Sequence, residues 1–372
     1  MTRIRSVFTI IISLCMLSGC LVAPITASVR LDQGAIANEA KKQREIALKD
    51  QFKQFKKLQS ASWPLLEANA DLCGDDTRPS LGFYAASVYS FKDKDEQLAA
   101  RGALNMDSNT RFLIIYPGSP VENSGIEVGD IIHSINGKII PSTPEGNSIF
   151  RETLKSNKGI DVWNIEVVKK DGGGESFLIN TTQICDYGVV LSGDDNVNAY
   201  ADGKNIYLTQ GMIRFAETDQ ELNLIISHEI AHNLMGHIGA KKTNYALGTI
   251  LDVIAAVYGI DTQNAIGKAT GSAYSKQFEA EADYVGLYVM AKAGYQVSGA
   301  ADFWRRMAAL HPGSIATNHG ASHPATPERF LSIEKSAVEI NNKLIANKPL
   351  VFDLKPRKKA PEEAAPKVFG AH

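Results

Sequence analysis

The sequence predicts an α+β protein: a mainly helical domain with a small edge sheet, into which a β-rich domain is inserted. Three observations lead there. Residues from about Tyr187 to Asn347 carry mostly helix-period apolar patterning, with His228-Glu229-Ile230-Ala231-His232 inside a capped helix. From Arg78 to about Thr182 the pattern changes to short apolar runs separated by glycine-rich turns. Cys73 and Cys185 bracket that second stretch closely. A length of 372 residues suits two domains. With 44% apolar and 22% charged residues the chain is an ordinary globular one, and a net charge of −2 gives no footprint for nucleic acid.

In chain order, residues 1–19 form a targeting signal. Arg3 and Arg5 make a positive start, and the apolar stretch Val7 to Leu17 is shorter than the roughly 20 residues that span a bilayer. It ends in Leu17-Ser18-Gly19-Cys20, which resembles a bacterial lipoprotein lipobox. The resemblance implies cleavage before Cys20 and lipid attachment to it; the alternative is an ordinary secretory signal cut near Ala23 or Ala27. Leu21, where Asp would mark inner-membrane retention, implies a lipid-anchored protein of the outer membrane facing the periplasm. Cys15 then leaves with the signal and Cys20 is acylated, so Cys73 and Cys185 remain, in an oxidising compartment. They are expected to pair.

Residues 20–77 are expected to hold the lipidated N-terminus and one amphipathic helix, from about Asp32 to Gln59 and ended by Trp63-Pro64. Leu48, Phe52 and Phe55 share a face opposite a lysine-rich one. That helix packs on the catalytic domain or lies on an anionic membrane surface. In residues 78–182, Leu81-Gly82-Phe83 resembles the carboxylate-binding loop of PDZ domains. The run Gly125-Ile126-Glu127-Val128-Gly129-Asp130-Ile131-Ile132 followed by Asn136-Gly137 resembles them more specifically. Asn136-Gly137 is a hairpin signal in its own right, because both residues tolerate positive φ. Ile149 to Leu154 suits a short helix, and Ile160–Val168 with Phe177–Thr181 a hairpin. Residues 186–347 form the helical domain, with strand-like pieces at Ile206-Tyr207-Leu208 and Met212-Ile213. Residues 348–372, rich in Pro, Glu, Ala and Lys, are expected to be a disordered tail.

The chemistry lies in the helical domain. Residues four apart on a helix share a face, so His228 and His232 can reach one ion, while Glu229 stands one step round, near the water of such a site. Thr218 with Glu221 supplies a capping box, and Gly236 suits the helix C-terminus. A third ligand is available in Phe278-Glu279-Ala280-Glu281-Ala282-Asp283, on a helix expected from near Ser275 to Gly294. Glu279 takes that role, and Asp283, four residues on, accepts a hydrogen bond from a ligand histidine. Glu281 competes as ligand but points roughly 200° away from Glu279 at 3.6 residues per turn.

These motifs, from about Asn198 to Phe330, resemble the M48 family of metallopeptidases. The resemblance implies a zincin-type domain holding one Zn2+ per chain on His228, His232 and Glu279, with Glu229 as general base. It makes Asn198-Ala199 a substrate-lining edge, where a peptide adds as a strand. By the match of Ser322-His323-Pro324 through Arg329, His323 either stabilises the oxyanion or caps the zinc in a resting state. His237 fits a supporting role better than a ligand role. Tyr245 to Tyr258 is apolar but interrupted by Asp252, and fits a core helix or, less simply, a lid or membrane-facing element. Together these expectations describe a zinc endopeptidase acting on cell-envelope proteins, with Leu81, Gly82 and Phe83 presenting peptides. The alternative is a PDZ-based chaperone or scaffold lipoprotein with a latent site. The sequence leaves substrate, cleavage preference and oligomeric state open.

Overall fold

The computed structural model describes residues 29, 31–240, 242–243, 265–310 and 326–353, with the backbone alone for 265–275. The expectations for Cys20, Tyr245–Tyr258, His323 and residues 354–372 lie outside the described residues.

The first long element is α1, Gln33–Ala68. It does not stop at Trp63-Pro64 as the sequence suggested, because Pro64 lies within it. An interior proline costs about 3 kcal/mol. Trp63, Leu65 and Leu66 are all buried in the core of the helical domain, and full burial of one such side chain contributes about 1.5–3 kcal/mol. Burial of the three outweighs the proline. Earlier on the same helix, Leu48 packs against the buried cluster of Ala86, Val88, Ala100 and Met106, and the ring of Phe55 meets that of Tyr84 at 5.0 Å. Leu48 and Phe55 therefore pack on the β-rich region, while Leu58, Trp63, Leu65 and Leu66 of the same helix pack on the helical domain.

The chain enters and leaves the β-rich region through two strands that pair with each other. β1 (Thr77–Ser80) runs antiparallel to β8 (Thr182–Cys185), with Thr77 opposite Cys185. Cys73 and Cys185 form a disulfide across this neck. Cross-linking residues 112 apart contributes about 4–5 kcal/mol in the chain-entropy model. Beyond the neck lies a six-stranded antiparallel sheet in the order β2-β3-β4-β6-β7. Its strands are β2 (Phe83–Ala86), β3 (Arg111–Ile115), β4 (Ile131–Ile135), β6 (Val162–Val168) and β7 (Gly174–Asn180), with β5 (Lys138–Ile139) paired to β4. Asn136 (φ 49°) and Gly137 (φ 77°) make the β4–β5 turn as expected. Helices α2 (Lys94–Leu104), α3 (Pro120–Ser124) and α4 (Pro144–Ser156) complete the region. Phe112, Ile132, Ile135, Phe150 and Ile165 form its own core.

The helical domain opens on a three-stranded sheet in the order β10-β11-β9, made of β9 (Gly188–Ser192), β10 (Ala199–Ala201) and β11 (Asn205–Thr209). Met212-Ile213, expected as strand, belongs to a helix, α5 (Gln210–Phe215), because Thr209 Oγ1 accepts from the Met212 N–H and caps it. Then come α6 (Asp219–Leu234), α7 (Ala265–Lys292), α8 (Ala300–Ala309) and α9 (Pro327–Ile345). α7 begins ten residues before Ser275. Residues 348–353, assigned to the tail, instead lie on this domain: the Phe352 ring meets Tyr288 at 5.9 Å and the Val351 carbonyl accepts from Lys343. Two apolar side chains, Leu350 and Phe352, hold that segment against the core.

Candidate metal centre

Helix α6 starts where the sequence places it. Thr218 accepts from the Glu221 N–H, and the Glu221 carboxylate reaches back to the Thr218 N–H. Glu221 also takes both guanidinium ends of Arg306 at 2.7 and 2.8 Å, tying α8 to the start of α6. Burial pushes the Glu221 pKa up, but Arg306 and the capping N–H groups pull it lower overall.

One turn before its C-terminus, α6 presents His228 and His232, and α7 crosses it closely. A Cβ on Gly286 would stand 3.1 Å from the His228 backbone and the Ser227 carbonyl, so a side-chain-free position lets α7 approach here. That approach delivers Glu279. His228 Nε2 and His232 Nε2 are 3.1 Å apart, and the Glu279 carboxylate oxygens lie 3.3 Å from the first and 3.5 Å from the second. All three residues are buried. Among the described residues they form the one His/Cys/Asp/Glu group able to hold a metal ion. A tetrahedral zinc with nitrogen and oxygen ligands at about 2.0–2.1 Å needs those atoms about 3.3–3.4 Å apart. The observed 3.1–3.5 Å separations meet that requirement, so these residues fit zinc.

Glu229 follows His228 on the same turn and is 1% exposed. Asp283 stands where the i, i+4 spacing from Glu279 places it, its Oδ1 3.0 Å from His228 Nδ1. A carboxylate there fixes the ring with Nε2 free for the metal. Burial lowers the His228 pKa, but hydrogen bonds to Asp283 and Glu279 more than offset it and carry it to about 9. Proton and cation therefore compete for this ring. Glu281, the rival ligand, faces away and bonds His237 at 2.9 Å.

Arg329 is a residue whose role sequence reasoning missed. It enters from the first turn of α9, where Thr326 caps and Pro327 opens the helix. Its Nη2 lies 2.8 Å from Asp283 Oδ1 and 3.6 Å from Glu279 Oε2, and its Nε also bonds Asp283. Burial alone would raise the Asp283 pKa; the Arg329 charge and His228 bring it below the ordinary carboxylate range. Trp304 of α8 backs the group, its ring 4.6 Å from the guanidinium and 4.9 Å from His228. The only signal for Arg329 was its place at the end of the His323-Pro324 element, and nothing local names its carboxylate 46 positions away.

Ala199 opens β10, the terminal strand of the small sheet, and Asn198 directly precedes it. Asn233, next to His232, ties that hairpin to α6 by accepting from the Gly203 N–H at 2.9 Å. Leu81, Gly82 and Phe83 lie in the β-rich region, on the wall of a cavity of about 650 Å³. Gly82 holds φ +74°, and a Cβ there would come within 2.3 Å of Ser119 and 2.9 Å of Trp63.

With this geometry in view, residues 179–337 match the model of Peptidase family M48. The chain is 23% identical over 182 residues to the mitochondrial metalloendopeptidase OMA1 of Saccharomyces cerevisiae, covering 46% of this chain and 52% of that protein. It is 31% identical over 156 residues to the metalloprotease LoiP of Escherichia coli, covering 40% and 60%. With the metalloprotease YcaL of the same organism it shares 28% over 192 residues, covering 50% and 71%. The chain thus spans about half the length of the first two relatives named. Residues 179–337 have the fold and the His-His-Glu triad of an M48-family zinc metallopeptidase.

Proposed function

We infer that the chain is a zinc-dependent endopeptidase of the cell envelope. The observation that carries this is a preformed His228/His232/Glu279 donor set at tetrahedral-zinc spacing, with the buried Glu229 next to His228 on α6. When bound, zinc supplies Lewis acidity, which acidifies water and polarises a carbonyl. Glu229 takes the proton of the attacking water and returns it to the departing amine. Asp283 and Arg329 hold His228 in the tautomer that leaves Nε2 for the metal. A peptide adds to the Asn198-Ala199 strand and so runs beside α6. Hydrolysis of an unfolded protein, suppressed by a chelator and restored by zinc, tests the assignment; absence of hydrolysis in zinc-loaded protein contradicts it.

Residues 78–182 act as a PDZ-like peptide-binding domain. Support comes from β2, the terminal strand of its sheet, and from the cavity beside it, walled by Leu81, Phe83, Phe150 and Leu154. Arg151 and Lys155 stand exposed on its rim, which favours extended peptides carrying acidic residues. Fluorescence polarisation with the whole chain is expected to show tighter binding of an acidic peptide with an apolar end than of a basic one of equal length. Equal affinities contradict the preference.

The cell-envelope address rests on the Cys20 lipobox and on a relative of Escherichia coli named beta-barrel assembly-enhancing protease. Among the described residues no helix is long and apolar enough to cross a membrane. Labelling with a radioactive fatty acid in wild type, lost in Cys20→Ser, is the expected result; equal labelling contradicts the anchor.

A further inference from the structure

The two ligand histidines are held from behind by different devices. His228 has Asp283 and Arg329. The outer nitrogen of His232, Nδ1, lies 2.9 Å from Nδ1 of another histidine, His237, which is 1% exposed. The other nitrogen of His237, Nε2, lies 2.9 Å from Glu281 Oε2. Two lone pairs cannot bond to each other, so in each contact one atom must carry the proton.

If His232 offers Nε2 to the metal, its proton is on Nδ1, and it donates to His237 Nδ1. His237 then accepts at Nδ1 and carries its own proton on Nε2, which it donates to Glu281. Metal binding at one end thus fixes a single tautomer at both rings. We propose that His237 and Glu281 are positioning residues for the metal centre, forming a His232–His237–Glu281 relay that orients the second histidine ligand and raises its basicity. The relay rests on the zinc-site assignment above.

Two local features build it. Gly236 adopts φ +66°, the left-handed conformation that ends α6 and turns the chain back, so that His237 returns beneath the last helical turn. The His237 ring then stacks on Phe278 at 4.6 Å with 19° between planes, while meeting the His232 ring edge-on at 77°. Phe278, Glu279 and Glu281 are within one turn of α7. That single turn therefore supplies the stacking partner of His237, the third metal ligand and the terminal acceptor of the relay. Because Glu281 is half exposed, it can hold its charge in water and needs no buried counter-ion of the kind Arg329 provides for Asp283.

The test uses the full chain and zinc alone. Competition with a chromophoric chelator is expected to show zinc bound about 10–100-fold more weakly in His237→Leu than in wild type, the usual cost of losing such a partner. His237→Gln, whose amide can both accept and donate, should recover part of the loss. Glu281→Gln, a near-isosteric change at a half-exposed position, should weaken zinc in the same direction and less. Two-bond 1H–15N correlation of the zinc-loaded protein should show His232 protonated on Nδ1 and His237 on Nε2. Zinc held equally tightly by wild type, His237→Leu and Glu281→Gln overturns the relay while the zinc site stands, as does His237 protonated on Nδ1. A wild type that takes up no zinc overturns both.

Discussion

Replacing Glu229 by Gln is expected to leave one zinc per chain bound and to lower hydrolysis of an unfolded protein by about 10²–10⁴-fold, the range of a lost general base. Gln preserves the volume of a side chain that is 1% exposed, so packing of α6 changes little. Glu229 is one residue, about 100° of helix, from His228, so it is adjacent to the donor set without belonging to it. What Gln lacks is a basic site for the proton. Metal analysis and proteolysis on the same sample check both halves. Substantial hydrolysis by the variant rejects the role of Glu229; loss of zinc makes it a ligand instead. The same outcome decides against a latent scaffold, which has no use for a base.

The second large effect is on stability. Arg329→Met is expected to destabilise the zinc-free protein by about 3–5 kcal/mol, the cost of leaving a buried charge without its partner. Arg329 and Asp283 are both buried, and Arg329 also lies 3.6 Å from Glu279. Methionine keeps the apolar stem over Trp304 and removes only the cation. In the wild type Asp283 titrates below its unfolded value, so its contribution is present above about pH 4 and fades as pH falls through the depressed pKa. In the variant that contribution disappears at neutral pH as well. Urea unfolding at pH 7 measures the loss, and a change under about 1 kcal/mol, the worth of an exposed pair, contradicts the account.

How far these features could be read from the sequence depends on the distance over which they are encoded. The triad was legible because two of its members repeat at helical spacing and the third heads a second such pair, Glu279 and Asp283. The capping box and the Asn136-Gly137 turn were legible because each is local. The Cys73–Cys185 disulfide was legible by elimination among four cysteines. Contacts made between segments were not. The continuation of α1 through Pro64 depends on where Trp63, Leu65 and Leu66 are buried, and a local rule saw only the proline. The division of α1 between two cores, through Phe55 on one side and Leu58 on the other, has the same origin. Arg329 was marked only by its place at the end of the His323-Pro324 element and His237 only as a supporting residue, because their carboxylate partners lie 46 and 44 positions away. The sequence located the candidate metal donors and left the groups that hold them still to the fold.

Zinc K-edge absorption on the stoichiometrically loaded full chain tests the central claim most directly. The account predicts two imidazole nitrogens and oxygen donors at about 2.0–2.1 Å with no sulfur, and one imidazole fewer in His232→Ala. Sulfur in the first shell, or an unchanged spectrum in that variant, would place the zinc elsewhere and contradict the site described.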